Sequence, residues 1–203
     1  MDLPTPTFRP AARVPSADAS VRAATAADAT AMGRVQAEAW RSSYDEVLPA
    51  DTLAGLEPER LGEVWRDAVV RPPTGAHRVL VALSAGELVG FVAIGPSEGP
   101  QPEVGELVAL VVAPSAQHAG HGSRLLNAAA DRLRDVGFEQ VVAWVLAGDA
   151  VRLRFLTAAG FELDGAERTF AAAPGDGGDG ADGADSAAEL REVRLVASLA
   201  PPA

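Results

Sequence analysis

Hydrophobic spacing along the chain changes twice. Met32, Val35, Ala39 and Trp40 recur at helical intervals, with Thr25 and Asp28 in place as N-caps, and Val21-Arg22-Ala23 just before them suits a short strand. Two short helical stretches follow, carrying Leu53, Leu56, Leu61, Val64 and Trp65, with Pro58 fitted to the first turn of the second. From His77 onward the period shortens. Arg78 to Leu83 and Leu88 to Ile94 read as strands joined by the turn Ser84-Ala85-Gly86-Glu87, and Glu103 to Val112, bounded by Pro102 and Pro114, reads as a central strand. Helical spacing returns after Gly120, with Leu125, Leu126, Ala129 and Leu133 on one face and a stop near Gly137. Gln140 to Leu146 is the next strand. Asp149 then caps a helix with Val151, Phe155 and Ala159 inward, closing at Gly160. Phe161 to about Phe170 and Leu190 to Ala197 complete the pattern.

The resulting fold class is α/β (α+β), in the order β-α-α-β-β-β-α-β-α-β-β. One domain is expected over residues 20–200, since 203 residues allow a single full-sized core plus tails. Residues 1–19 carry four prolines without periodicity and are expected to form a flexible tail. Residues 174–188 are nearly all Gly, Ala and Asp, a composition that cannot bury a core, and are expected to be a disordered insert between the last two strands.

Composition narrows the chemistry. The chain has no cysteine, hence no disulfide, thiol nucleophile or Cys-ligated metal; three scattered histidines make no metal site, so no metal is expected. The net charge of −11 opposes general nucleic-acid binding, and four of those units belong to the aspartates of the insert. The remaining acidity suits an amine-bearing partner as well as it suits simple solubility. No apolar run reaches transmembrane length and no basic-then-apolar leader opens the chain, so no membrane partner and a cytoplasmic location are expected.

The most informative segment joins the central strand to the next helix: Val112-Ala113-Pro114-Ser115-Ala116-Gln117-His118-Ala119-Gly120-His121-Gly122-Ser123-Arg124. Backbone N–H groups at such a junction lack helical partners and lie at the positive end of the helix dipole, a place for phosphate. A lysine-bearing P-loop is excluded because the chain contains no lysine. A dinucleotide fingerprint asks for a third small residue where Leu125 stands.

Gln117-x-x-Gly120-x-Gly122, preceded by Val112-x-Pro114, resembles the acetyl-CoA signature of the GNAT N-acetyltransferases. The order of elements resembles that fold, as do Trp144 to Phe161 and the Trp40–Leu53 segment with its Trp-Arg-x-x-Tyr and Leu-Pro. The resemblance implies a central mixed, mostly antiparallel sheet of six to seven strands, flanked by about four helices and splayed between the fourth and fifth strands. It also implies acetyl-CoA as cosubstrate. Its pantetheine arm would pair with backbone groups of Leu110, Val111 and Val112, and its pyrophosphate would take N–H groups from Gln117, His118, Ala119, Gly120, His121, Gly122 and Ser123. Asp149 and Phe155 are the remaining cofactor-side candidates. Arg124 either reaches a phosphate or is solvated.

Acetyl transfer to an amine requires a base, because alkyl ammonium groups have pKa values of about 10. Glu106, an acid inside an apolar strand, is the candidate; the alternative is an exposed strand-start glutamate. The fourteen-residue step from Glu106 to Gly120 matches that of the base in histone-type members of the family. Two departures stand out. Asp149 replaces the family's usual Asn, and Leu156 replaces the tyrosine that commonly protonates the leaving thiolate. Tyr44, the single tyrosine, is the candidate substitute, or else an amphipathic surface residue. Glu38, Asp45 and Glu46 line the acceptor side or form a solvated helix end, and Trp40, Trp65 and Phe155 read as core. Lacking a cysteine or a Ser-His pair at recognisable spacing, the chain is expected to support direct attack by an amine of a small molecule, peptide or protein. A catalytically weak acyl-CoA-binding or sensing module is the alternative. The family resemblance adds a homodimer as one arrangement.

Overall fold

The computed structural model describes residues 5–10, 19–45, 48, 50–171 and 189–200. Strand β1 (Ala19–Ala23) leads into helix α1 (Ala29–Ser43). That helix is started by Asp28, whose carboxylate accepts from the Thr25 backbone N–H at 2.7 Å and hydroxyl at 2.8 Å. The short α2 (Ala50–Ala54) and α3 (Pro58–Val70) follow. Helices α1 and α3 approach closely because Gly33 faces Gly62: a Cβ on Gly33 would stand 2.2 Å from the Pro58 carbonyl oxygen. Next come β2 (Arg78–Ser84), β3 (Glu87–Pro96), β4 (Val104–Val112), α4 (His121–Asp135), β5 (Gln140–Leu146), α5 (Ala150–Ala158), β6 (Glu162–Ala171) and β7 (Glu189–Ser198).

The seven strands form one sheet in the order β1-β2-β3-β4-β5-β7-β6, as expected for a sheet of six to seven strands. Every pairing is antiparallel except β4 with β5, which run parallel for three rungs only: Val104 with Gln140, Gly105 with Val141 and Glu106 with Val142. Beyond Glu106 the two strands part, which is the expected splay. The described residues form five α-helices, the five-residue α2 being the one beyond the expected four.

Each face of the sheet buries its own core. On one face Leu125, Leu126, Ala129 and Leu133 of α4 pack on Leu107, Leu110, Val141 and Val145, joined by Leu156 and Phe161. On the other, Met32, Val35 and Ala39 of α1 and Trp65 of α3 cover Val81, Phe91 and Val111. Trp65 takes its Nε1–H into this core by donating to Gln36 Oε1 at 2.6 Å, so a buried polar pair is satisfied. A third cluster, Tyr44, Leu48, Leu53 and Leu190, seats the end of α1 and α2 over β7.

Three expectations are corrected. Residues 5–10 are not a free tail: Phe8 is 2% exposed and meets Phe161 edge-on, while the N–H groups of Phe8 and Arg9 donate to Ser198 and Ala159. A single phenylalanine between prolines has no periodicity to show, yet it buries enough area to hold the strand-like segment down. Val151 points outward, 64% exposed, and Leu156 takes the inward place at 1%. Val64 likewise faces solvent. The proposed insert at 174–188, Glu46 and Pro49 lie outside the described residues.

Candidate active site

The β4–α4 junction is built locally. After Val112 a single 3-10 turn (Pro114–Ala116) redirects the chain, and Gly120 caps α4 with φ +80°, a left-handed conformation that glycine adopts at no steric cost. His118 also has positive φ, +60°, unusual for a side-chain-bearing residue and common at ligand clamps. Arg124 reaches back from the first turn of α4 to the Ala119 carbonyl at 3.1 Å, so it braces the loop in addition to any contact with solvent. The first-turn N–H groups of α4 open at this point, as at any helix start. Gly122 is a milder case. A Cβ there would meet Phe155 at 3.5 Å, an ordinary contact.

The parting of β5 exposes one side of β4. Ala113 donates its N–H to the Val89 carbonyl at 2.8 Å. In an antiparallel ladder alternate residues face the same neighbour, so Val111 also turns its backbone polar groups to β3, while Leu110 and Val112 turn theirs into the gap. Two side chains already use that edge: Arg152 Nη2 donates to the Leu110 carbonyl at 3.0 Å, and Gln117 Nε2 to the Val112 carbonyl at 3.4 Å. The expectation that Val111 offers backbone groups alongside Leu110 and Val112 is thereby corrected. Val111 contributes only as wall.

Strand edge and helix start open onto one cavity of about 590 Å³. Of the expected residues, Tyr44, Leu110, Val111, Val112, Gln117, His118, Gly120, Gly122, Ser123, Asp149 and Phe155 line it. Ala119, His121 and Glu106 do not. The His121 ring is 5% exposed, its Nδ1 has no hydrogen-bond partner, and burial holds its pKa down, aided by the Arg124 charge. Trp40 and Phe155, read as core, are half-buried: each packs against a core cluster and also lines the cavity.

Asp149 organises the far side of this cavity. Its Oδ1 accepts from the Arg152 backbone N–H at 2.9 Å, capping α5. Its Oδ2 accepts from the Tyr44 hydroxyl at 2.8 Å and lies 3.6 Å from Arg152 Nε. Burial pushes the Tyr44 hydroxyl up to about 12; the Arg152 charge opposes the shift and Asp149 adds to it. Arg152 was missed by sequence reasoning. Its one available signal was the three-residue step from the capping Asp149.

Glu106 occupies the last rung before the fork, opposite Val142 and across β3 from Gly95. It is half-buried, and its carboxyl is raised chiefly by that burial; Arg168 and a hydrogen bond from the Glu98 backbone oppose the shift, whereas the Glu98 and Glu192 charges add to it. Glu192 is itself bound to Arg168 at 2.6 Å, and the Arg168 guanidinium lies 4.4 Å from the centre of the Trp144 ring. Glu192 also acts on Tyr44, so it stands electrostatically between the two candidate catalytic residues. Sequence reasoning had no means to place it there. Among the described residues no cluster of three metal-ligating side chains occurs, and no helix is long and apolar enough to cross a membrane.

The model of the acetyltransferase (GNAT) family matches residues 37–161, more than half of the chain. The chain belongs to this family. A mycothiol acetyltransferase of Sanguibacter keddieii is 42% identical over 105 residues, which are 50% of this chain and 31% of that protein. The chain thus spans about a third of the length of that relative. The uncharacterized N-acetyltransferase YuaI of Bacillus subtilis is 30% identical over 129 residues, 63% of this chain and 71% of that protein. Among solved structures, the PaiA N-acetyltransferase of Thermoplasma acidophilum in complex with coenzyme A superposes with a TM-score of 0.68, covering 89% of this chain and 98% of that one at 17% identity. At that identity the likeness concerns the GNAT fold alone.

Proposed function

We propose that the chain is an acetyl-CoA-dependent N-acetyltransferase in which an amine attacks the thioester directly. The observation that carries this reading is the shared cavity: the edge of β4 at Leu110 and Val112, which no neighbouring strand covers, and the N-terminus of α4 at Gly120 open into the same space of about 590 Å³. A phosphate suits the helix start, where unpaired N–H groups and the left-handed Gly120 let the backbone come close. An amide-bearing arm suits a strand edge. The chain offers both along one path, with Phe155 and Trp40 as apolar wall between them. When bound, acetyl-CoA supplies an activated acyl group. The residues hold it, exclude water and handle one proton.

That proton is assigned to Glu106. Its raised carboxyl is a stronger base than an ordinary glutamate, and its position at the fork puts it where the gap between the strands begins. The acceptor is a small-molecule or peptide amine approaching a side of the site rich in carboxylates, with Glu98 and Glu192 near Glu106 and Arg168 the counter-charge. A cytoplasmic location and a single catalytic domain that takes in residues 5–10 accompany this reading.

Calorimetric titration with acetyl-CoA tests it. Binding at micromolar to sub-millimolar cofactor is expected, and its loss in Gly120→Glu, which brings bulk and negative charge to the left-handed cap. Absence of binding at millimolar cofactor would refute the reading. The second reading, an acyl-CoA-binding module without useful turnover, is motivated by Leu156, a buried side chain where many relatives have an acid. Release of free CoA over an amine panel above the rate of hydrolysis separates the two.

A further inference from the structure

Leu156 has no proton to give and is 1% exposed within the core. Tyr44 is poorly suited to the same task. Its hydroxyl is committed to Asp149 at 2.8 Å, and with a pKa of about 12 it is a far weaker acid than a thiol, whose pKa is about 8.5. Protonating a departing thiolate from Tyr44 therefore runs uphill. A fixed positive charge avoids the transfer altogether.

Arg152 supplies such a charge. Among the described residues that line the cavity it is the single arginine, and 29% of its side chain is exposed. Its position is fixed from two sides, by Nη2 on the Leu110 carbonyl at 3.0 Å and by Nε near Asp149 Oδ2 at 3.6 Å. The Leu110 hydrogen bond engages one of the five N–H donors that a guanidinium carries, and the Asp149 contact is an ion pair. The group therefore stands at the β4 edge, beside the backbone positions assigned to the cofactor arm.

We propose that Arg152 stabilises the leaving thiolate, so that CoA departs as an anion and not as a thiol protonated by the enzyme; this rests on the acetyl-CoA reading of the cavity. The balance is complete without an acid. The acceptor ammonium loses one proton to Glu106, which passes it to water. A C–N bond then forms at the thioester carbonyl carbon, the C–S bond breaks with its electron pair leaving on sulfur, and the second nitrogen proton goes to water. Arg152 touches the departing sulfur and so is a catalytic residue in this scheme. Asp149 positions it.

The test is the pH dependence of binding, read by calorimetry on the full chain without turnover. Free CoA has a titrating thiol and acetyl-CoA has none, so the difference between their profiles isolates that thiol. In the wild type, CoA affinity should rise about tenfold relative to acetyl-CoA between about pH 7 and pH 10, the consequence of a thiol pKa lowered by about one unit. Arg152→Gln and Arg152→Ala should lose the rise, each CoA profile being read against the same variant's acetyl-CoA profile, and Arg152→Lys should keep part of it. Parallel CoA and acetyl-CoA profiles in the wild type overturn the proposal, as does a rise that survives in Arg152→Gln. Collapse of acetyl-CoA binding in all three variants makes Arg152 a structural residue and also overturns it. Failure of both ligands to bind the wild type is a different result: the cofactor reading itself falls, and this inference with it.

Discussion

The Tyr44 hydroxyl lies 2.8 Å from Asp149 Oδ2, and this one bond ties the C-terminal end of α1 to the N-terminal end of α5 across 105 positions of sequence. The helix that covers the β2–β3–β4 face and the helix that follows the parted strand β5 are thereby held at a fixed distance over the cavity. Asp149 is fully engaged in doing so: one oxygen caps α5, the other accepts the hydrogen bond of the tyrosine hydroxyl.

Removing the hydroxyl leaves that oxygen short of a buried donor. Tyr44→Phe should lower stability by about 1 kcal/mol, measured by denaturant unfolding. The pH dependence has a definite sign. An unfolded tyrosine ionises near pH 10, while the folded one keeps its proton to about 12, so stability is full below about pH 10 and falls as pH rises toward 12. Tyr44→Phe should lack that fall. Because Tyr44 is the single tyrosine, ultraviolet absorbance titrates it directly. A midpoint near 10 in the folded protein would contradict the buried Tyr44–Asp149 bond.

The start of α1 gives a prediction at the other end of the pH scale. Arg22 holds Asp28 by two hydrogen bonds of 2.8 Å and Thr25 adds two more, so the carboxyl sits well below the usual carboxylate range, with burial acting the other way. A depressed carboxylate stabilises the fold above its unfolded pKa of about 4 and loses that contribution as pH falls through and below it. Asp28→Asn should cost about 1–2 kcal/mol at pH 7 and make the loss of stability below about pH 4 shallower than in the wild type. Thermal melts at pH 7 and pH 3 measure both.

Local features of this site were legible in the sequence, and distant pairings were not. The Gln117–Gly122 junction could be read because a strand end, a left-handed glycine and a helix start are set by neighbours within a few residues. The Gln140–Leu146 strand could be read for the same reason. The wall of the cavity opposite is made by Arg152 on Leu110, 42 positions away, and by Tyr44 on Asp149. Nothing local marks such pairs. Helix α5 shows why its inward face was misassigned: Val151, Leu153, Phe155 and Leu156 spread apolar side chains around the helix, so the period does not choose between Val151 and Leu156 and packing decides. Likewise the sequence places Glu106 in a strand, but not at the rung where that strand loses its neighbour.

The α1–α3 crossing was equally invisible, and it is severe. A Cβ at Gly33 would stand 2.2 Å from Pro58 O and 2.5 Å from Gly62 N, both backbone atoms that cannot rotate away. The helices would have to separate. Gly33→Ala should cost more than about 2 kcal/mol, whereas Gly75→Ala, with nothing within 4 Å, should be close to neutral. Equal melting temperatures for the two variants would disprove this packing.

Glu106 yields the prediction that bears most directly on catalysis. A base must be ionised to accept a proton, and burial, with Glu98 and Glu192 close by, holds this carboxyl protonated to higher pH than a free glutamate despite Arg168. The acid limb of kcat/KM should therefore lie above pH 4.3, the ordinary value of about that size for glutamate, and Glu106→Gln should remove it. Because Glu106 lies outside the cavity wall, the same substitution should leave acetyl-CoA affinity within about threefold of wild type while the rate falls about 10²–10⁴-fold. The acceptor side distinguishes a base from a structural acid. In Glu106→Gln the lost rate should recover partly as pH approaches the acceptor amine's own pKa, where free amine needs no base, while a variant damaged only in packing stays slow at every pH. A fall in cofactor affinity parallel to the fall in rate would assign Glu106 to the architecture of the fork, and would leave water at the parted strands as the proton acceptor.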